Sequence, residues 1–278
     1  MQSSLSIRVA GDWSSHEVIA HLIESSFAPS NAVQSVIDAA WSAALAVPNR
    51  TLFDGPMCRL ESFDVSPAGV RIGMSRTSYK SFWGTNVSHP ELADQYGPGV
   101  LANPIGLSPA LLTADGWLLL GRRNERVAYY PGRVHPFSGT LEPDDGSGDG
   151  ERDAPDVFAA VRRELHEEVR VGASDIVSMR LIGLAEDARL RQPELIFGVE
   201  TLLSRGQVEL QLDQAEHRDV VAIPAEPAAV KAAVQASGVA GEFTPIAIAT
   251  LLLQGRAAWG EGWFAGANGD APGILVGR

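Results

Sequence analysis

The stretch Asp156–Arg170, "DVFAAVRRELHEEVR", constrains the fold more than any other. Its apolar residues Phe158, Val161, Leu165 and Val169 recur at helical spacing. On a helix turning about 100° per residue they fall within about 80° of one another. That stripe has to be covered by the rest of the chain. A second stripe, Glu164, Glu167 and Glu168, lies about 120° round from the first. Carboxylates at i, i+3 and i+4 have Cβ atoms only about 5–6 Å apart and raise one another's pKa. A hard divalent cation, Mg²⁺ or Mn²⁺, reverses that penalty because it favours carboxylate oxygens plus water. The competing reading is a solvated acidic face, neutralised by Arg162, Arg163 and Arg170 in surface pairs of little weight. His166 points away from the carboxylate stripe and is read as surface.

The flanking sequence predicts a mixed fold. A helix capped by Ser30 or Asn31 runs to Pro48, and two strands around Cys58–Val65 and Val70–Ser75 follow, joined by "SPAG". "GPGVLANPIGLSP" reads as a boundary, so an N-terminal region over residues 1–102 is expected ahead of a second unit over 103–278. A hairpin turning at Asp115-Gly116 opens the second unit. An irregular acidic loop, Glu142 to Asp156, expected to be mobile, leads into the carboxylate helix. Strands around Ser178–Ala185 and Leu195–Leu202 and two further helices complete it. Strand pairs, a helix, more strands and then helices indicate an α+β fold rather than a doubly wound parallel sheet.

Charge narrows the partners. The 278 residues carry 22 Lys and Arg against 34 Asp and Glu, a net charge of −12. A surface this acidic argues against nucleic acid or an anionic membrane, but a small phosphorylated ligand remains possible through a bridging cation. The single cysteine, Cys58, cannot form an internal disulfide and is read as a small buried apolar residue in a reducing compartment. With no apolar h-region at the start and no stretch long enough to span a bilayer, a cytoplasmic location is expected. The oligomeric state stays open.

The segment Arg163-Glu164-Leu165-His166-Glu167-Glu168-Val169-Arg170-Val171 resembles the core of the Nudix box, R-E-U-x-E-E-x-G-U, where U is a bulky aliphatic. "FSGTLEPDD" is similar to the upstream part of that box. Gly139 stands at its glycine, Asp145 where the pattern has Glu, and Glu142 at a Glu often seen in this loop. The chain departs from the pattern in three ways: Asp145 for Glu, an inserted "GSGDGERDAP", and Arg170 for the closing Gly. Together with "LFDGPMCRL", "SRTSYKSFWGTN" and "LANPIGLSPALLTADGWLLLGRR", the box resembles one Nudix branch, the UDP-glucose pyrophosphatases, over roughly Leu52 to Val171.

The resemblance implies a Nudix-type α/β/α sandwich around a mixed sheet, with a smaller α+β N-terminal domain. It implies Mg²⁺-dependent cleavage (with Mn²⁺ as a substitute) of a UDP-sugar, a small-molecule nucleoside diphosphate sugar, to UMP and a sugar 1-phosphate. Glu164, Glu167 and Glu168 would hold the metal, and Arg163 would orient a carboxylate. The resemblance leaves the base open between a Glu of the box and a carboxylate from a later loop, where Glu216, in "LDQAEHRD", is the candidate base or extra ligand. Substrate contacts are expected from Tyr79, Phe82, Thr85 and Asn86, from Arg122 and its neighbour Arg123, and from Gly139, while Gly84 would let backbone approach the ligand. Core packing is the other reading of the aromatics. Arg189 and Arg191 are further candidates for a phosphate contact. Two alternatives remain: the same chemistry on ADP-ribose or a dinucleotide, and a module that binds a nucleotide without cleaving it.

Overall fold

The computed structural model describes residues 5–48, 52–145, 154–240, 242–269 and 274–276. Its strands are β1 (Leu5–Trp13), β2 (Val18–Ser26), β3 (Pro56–Ser66), β4 (Gly69–Ser78), β5 (Gly106–Leu112) and β6 (Trp117–Arg123). Two short strands, β7 (Val134–His135) and β8 (Gly139–Thr140), precede β9 (Ile176–Asp187), β10 (Gln192–Thr201), β11 (His217–Pro224) and β12 (Ile274–Val276). The helices are α1 (Asn31–Leu45), α2 (Tyr79–Phe82), α3 (Leu92–Tyr96), α4 (Val157–Val169), α5 (Arg205–Leu210), α6 (Pro227–Ala240) and α7 (Pro245–Asn268). Among the described residues no helix is long and apolar enough to cross a membrane.

These strands form a nine-stranded mixed sheet in the order β11-β6-β5-β10-β9-β1-β12, with β7 on β6 and β8 on β5. The β5–β10 and β1–β12 pairs are parallel; the other pairs are antiparallel. A separate three-stranded sheet runs β2-β4-β3. The first strand is thus not confined to the N-terminal region: Leu5–Trp13 pairs with β9, well past residue 102. The Gly- and Pro-rich stretch between the two is interior, with Leu101, Ala102 and Ile105 fully buried.

Strand alternation feeds two cores, as expected of a sheet covered on both faces. On β10, Leu195, Phe197 and Val199 face one side and Ile196 the other; on β6, Leu119 faces the first side and Leu118 and Leu120 the second. The first side is covered by α4 and by Cys58, Val70, Ile72 and Met74 of the small sheet. The second is covered by α6 and α7, through residues such as Val230, Ile246 and Leu252. Helices on both faces of a mixed sheet make the α+β sandwich that the resemblance implies.

The α4 stripe is seated as its spacing requires. Phe158, Val161, Leu165 and Val169 are all buried, and Phe158 meets Phe197 edge to face at 5.3 Å between ring centroids. At about 1.5–3 kcal/mol per buried side chain, the four together hold the helix to the sheet by roughly 6–12 kcal/mol. His166 and Glu167 lie on the exposed side. Cys58 is buried, and burial pushes its thiol up to about 12, consistent with an inert apolar residue.

Candidate active site

Helix α4 starts at a side-chain cap. Asp156 Oδ1 accepts from the amides of Phe158 and Ala159 at 2.9 and 3.1 Å, a cap worth about 1 kcal/mol. The same residue closes the insertion, because its amide donates to the Asp145 carbonyl at 2.9 Å. The chain therefore leaves and returns at one point, and the inserted residues do not separate the loop from the helix. Of the acidic loop expected to be mobile, residues 146–153 lie outside the described residues.

Arg163 ties loop and helix together. Its Nε and Nη2 meet the two oxygens of Asp145 at 2.8 and 3.2 Å, and its Nη1 meets Glu164 at 2.8 Å and Glu167 at 3.3 Å. Burial works against the arginine's charge, but the bond to Asp145 and the neighbouring Glu164 raise its pKa, so it stays protonated. Asp145, the residue standing where the pattern has Glu, is thus the bidentate anchor of Arg163. Glu164 in turn lies over Gly139: a Cβ added there would stand 1.9 Å from the carboxyl group. That close approach is the physical need for glycine at this position.

The α4 carboxyls are strongly perturbed. Burial pushes Glu164 up to about 8, with Arg163 pulling it down and Glu168 and Glu167 pushing it up. Glu168 is also pushed well above the carboxylate range, by burial and then by Glu216. Its Oε2 is buried without a hydrogen-bond partner among the described residues. His217 Nε2 lies 3.3 Å from Glu168 Oε1, but the pair lacks the alignment of a hydrogen bond, and both ring nitrogens are without a hydrogen-bond partner among the described residues. Burial and then Arg123 push that imidazole down to about 4. The contact is therefore between a neutral ring and a carboxyl group, not an ion pair.

A cleft of about 390 Å³ opens beside these groups, within the usual range for small-ligand sites. Arg163, Glu164 and Glu167 of α4 line it, with Gly139, Tyr79 and Glu216. The Glu216 loop is held by Asn124, whose Nδ2 donates to the Gln214 and Ala215 carbonyls at 2.8 and 3.0 Å, and by the Asp213 amide on the Glu168 carbonyl at 2.7 Å. Glu168 is not among the lining residues, but it feels the negative charge of Glu216.

Four of the expected contact residues lie elsewhere. Phe82 is fully buried in a cluster with Met57 and Ala102. Thr85 Oγ1 donates to the Ser81 carbonyl and accepts from the Ala102 amide. Asn86 donates to the Leu190 carbonyl at 2.9 Å. Gly84 abuts α1, where a Cβ would stand 2.6 Å from Ile37 Cα, so its smallness serves helix packing and not ligand approach. "TSYKSFWGTN" is a helical wedge between α1 and the sheet, and only Tyr79 of its residues reaches the cleft. Arg122 is turned to the far side, bound to Asp219 and Glu242 at 3.3 and 2.8 Å. Its neighbour Arg123 takes the cleft position, with a buried, unpartnered Nε and its guanidinium 4.9 Å over the Tyr129 ring. Arg191 is paired with Asp94 at 2.6 Å, and Arg189 stacks on Tyr130 at 5.3 Å. Sequence reasoning missed Tyr129, His135, Gln192 and Glu194, which also line the cleft. The alternation along β10 was the available signal for the last two.

The donor chemistry fits a hard divalent cation: oxygen ligands, two of them on buried carboxyls, with Glu168 Oε2 unsatisfied. In the observed rotamers, Glu164 and Glu167 turn to Arg163, and among the described residues no three His, Cys, Asp or Glu side chains converge on one ion position.

No family model matches the chain. The chain is 32% identical to human uridine diphosphate glucose pyrophosphatase NUDT22 over 173 residues, covering 54% of this chain and 57% of that protein. The bovine protein of the same name is 32% identical over 158 residues, covering 48% and 54% respectively. The match thus spans about half the length of these relatives. Among solved structures, the NUDIX domain of Shewanella oneidensis NrtR is similar at 15% identity and TM-score 0.37, covering 62% of this chain and 98% of that one. A MutT protein from Methanosarcina mazei is similar at 14% identity and TM-score 0.37, covering 56% and 95%. Over about half its length the chain is thus similar in sequence to proteins named uridine diphosphate glucose pyrophosphatase NUDT22.

Proposed function

We propose that the chain is a Mg²⁺-dependent Nudix hydrolase that cleaves the pyrophosphate of UDP-glucose, or of a closely related UDP-sugar, to UMP and the sugar 1-phosphate. The observation that carries this reading is the α4 constellation beside a polar cleft: Arg163 anchored by Asp145, with Glu164 against Gly139 and Glu168 Oε2 without a hydrogen-bond partner among the described residues. The sequence likeness to UDP-glucose pyrophosphatases supports the substrate class.

Water must attack one phosphorus while the bridging oxygen leaves with the other phosphate; the barrier lies in aligning them and spreading the charge. Glu164 and Glu168, helped by Glu167, are the residues that would hold Mg²⁺ or Mn²⁺. Such an ion, when bound, neutralises phosphate charge and acidifies the attacking water. Arg163 keeps the Glu164 carboxyl from swinging into solvent. Glu216, which lines the cleft on a loop held by Asn124, is the residue assigned here to take the proton of the water. Arg123, with a free Nε–H, offers a charge-assisted bond to a phosphate oxygen.

The test is direct. Purified chain incubated with UDP-glucose and Mg²⁺ yields UMP and glucose 1-phosphate on chromatography, and Glu168→Gln lowers kcat by about 10²-fold or more. Absence of UMP with both Mg²⁺ and Mn²⁺, or full activity in Glu168→Gln, overturns the reading. A panel with ADP-ribose and a dinucleotide fixes the substrate class.

A further inference from the structure

Two polar side chains open on the cleft with no part in the hydrolysis described above. Gln192 and Glu194 lie two residues apart on β10 and so project from one face of the strand. Both line the cleft, yet they are only 2% and 6% exposed. Ser108 Oγ donates to Glu194 Oε2 at 3.0 Å. Among the described residues, neither Glu194 Oε1 nor the Gln192 amide has a hydrogen-bond partner. An amide and a carboxyl held on a cleft wall with bonding capacity to spare are groups that a ligand in the cleft can satisfy.

The register shows how they are set relative to the α4 carboxyls. Glu194 is opposite Gly106 across β10–β5, and Gly106 is opposite Thr140 across β5–β8. The Glu194 carboxyl leans over Gly106, where a Cβ would stand 2.2 Å from it, just as Glu164 leans over Gly139. Gly139 is opposite Leu107, the next residue along β5, so side-chain alternation sets the Gly106 and Gly139 notches on opposite faces of the sheet, and the cleft that Glu194 and Glu164 both line brings the two carboxyls together. Tyr79 and Tyr129 line the same cleft and offer faces to a planar ring.

We propose that Gln192 and Glu194 read the imide edge of uracil and set the preference for uridine over cytidine nucleotides. That edge presents an acceptor, a donor and an acceptor: O4, N3–H and O2. The Gln192 amide supplies an acceptor for N3–H and a donor to O2. Glu194 in its protonated form supplies the second donor, to O4, through the oxygen that Ser108 does not hold. Burial, opposed by the Ser108 bond, pushes that carboxyl up to about 8 and keeps the proton on it near neutrality. Cytosine carries bare acceptors at both N3 and O2, so the Gln192 amide in either orientation leaves its oxygen facing an acceptor, and the cytosine amino group meets the Glu194 donor.

The assignment rests on the hydrolase reading for its kinetic test but not for its binding test. In the full chain, kcat/KM for UDP-glucose exceeds that for CDP-glucose by about 10²-fold, the discrimination expected when a polar site is left with unpaired groups. Gln192→Leu lowers that ratio at least about 10-fold by slowing UDP-glucose alone, whereas Glu194→Gln, which keeps a donor amide, retains it. Calorimetry with UMP and CMP gives the same order without turnover: UMP binds tighter to the natural chain, and the two bind alike to Gln192→Leu. An unchanged ratio in Gln192→Leu, or equal losses on both substrates, overturns the assignment. If neither sugar nucleotide is cleaved, the hydrolase reading falls while the UMP and CMP titrations still decide this one.

Discussion

The two ends of the cleft are built by the same device and differ in everything else. At one end Glu164 lies over Gly139; at the other Glu194 lies over Gly106. Each glycine makes room for a carboxyl that any larger residue would displace. The first end draws Arg163, Glu164, Glu167 and Glu168 from six consecutive positions of one helix. The second gathers Tyr79, Tyr129, Gln192 and Glu194 from three separate stretches of chain. A local site inherits its geometry from the helical repeat, whereas a distributed site depends on strand register. On the reading proposed above the glycine notches do different work: Gly139 would serve turnover and Gly106 the choice of nucleobase.

Breaking each notch separately tests that contrast with the largest effect. Gly139→Ala forces the Glu164 carboxyl aside by about 1 Å or more, a shift that costs about 10²-fold in kcat. The loss is expected on UDP-glucose and CDP-glucose alike. The obstructing atom is the end of a flexible side chain, so melting temperature changes little. Gly106→Ala displaces Glu194 instead and narrows the gap between the two substrates, with kcat on CDP-glucose holding within a few-fold. Steady-state kinetics on both substrates, with a melting curve for each variant, decide the matter. Equal losses from Gly106→Ala on both substrates would erase the distinction.

The same contrast accounts for what the sequence discloses. The α4 carboxylates are legible because residues 164, 167 and 168 become neighbours as soon as the segment is helical. The Asp145–Arg163 bond spans 18 residues and an insertion, and only the Asp145–Asp156 closure brings it into reach. Arg122 and Arg123 look equivalent in sequence. The pairing of β6 with β11 decides between them, turning Arg122 to Asp219 and Glu242 and Arg123 to Tyr129. In "TSYKSFWGTN" the aromatic content is legible but its destination is not. A helical turn packed against Ile37 sends Phe82 to the core and leaves only Tyr79 at the cleft. Strand β1 alternates Leu5, Ile7 and Val9, yet nothing local announces that its partner is β9, some 170 residues on.

The acid at the distributed end also leaves a mark on stability. Glu194 is raised from its ordinary 4.5 to about 8 by burial, with Ser108 and Arg123 opposing and Asp187 adding to the rise. A carboxyl whose folded pKa lies above its unfolded one contributes its stability below about pH 4.5 and loses it as pH rises through about 8. Each unit of displacement is worth about 1.4 kcal/mol. Glu194→Gln, neutral throughout, removes that dependence. Its melting temperature relative to the natural chain is therefore expected to rise between pH 5 and pH 8. Parallel curves for the two proteins across that window would mean that Glu194 is ionised in the fold.

The smallest effect concerns the departure at the helix end, Arg170 in place of the pattern's glycine. Arg170 takes a left-handed conformation, φ 54° and ψ 26°, and its amide closes α4 on the His166 carbonyl. A non-glycine residue there costs about 1–2 kcal/mol, part of which a glycine returns as lost chain entropy. Arg170 also pairs with Asp213 at 3.0 Å, but the two side chains are 50% and 40% exposed, so the pair contributes under about 1 kcal/mol. Arg170→Ala keeps the strain and loses the pair; Arg170→Gly loses both. The glycine variant is thus expected to be more stable than the alanine variant by about 1 kcal/mol in denaturant unfolding. Turnover changes in neither, because Asn124 and the Asp213 amide hold the Glu216 loop without the ion pair. Equal stabilities would show that the turn is unstrained. A fall in kcat common to both variants would move Arg170 from the stability of the helix end to the support of the Glu216 loop.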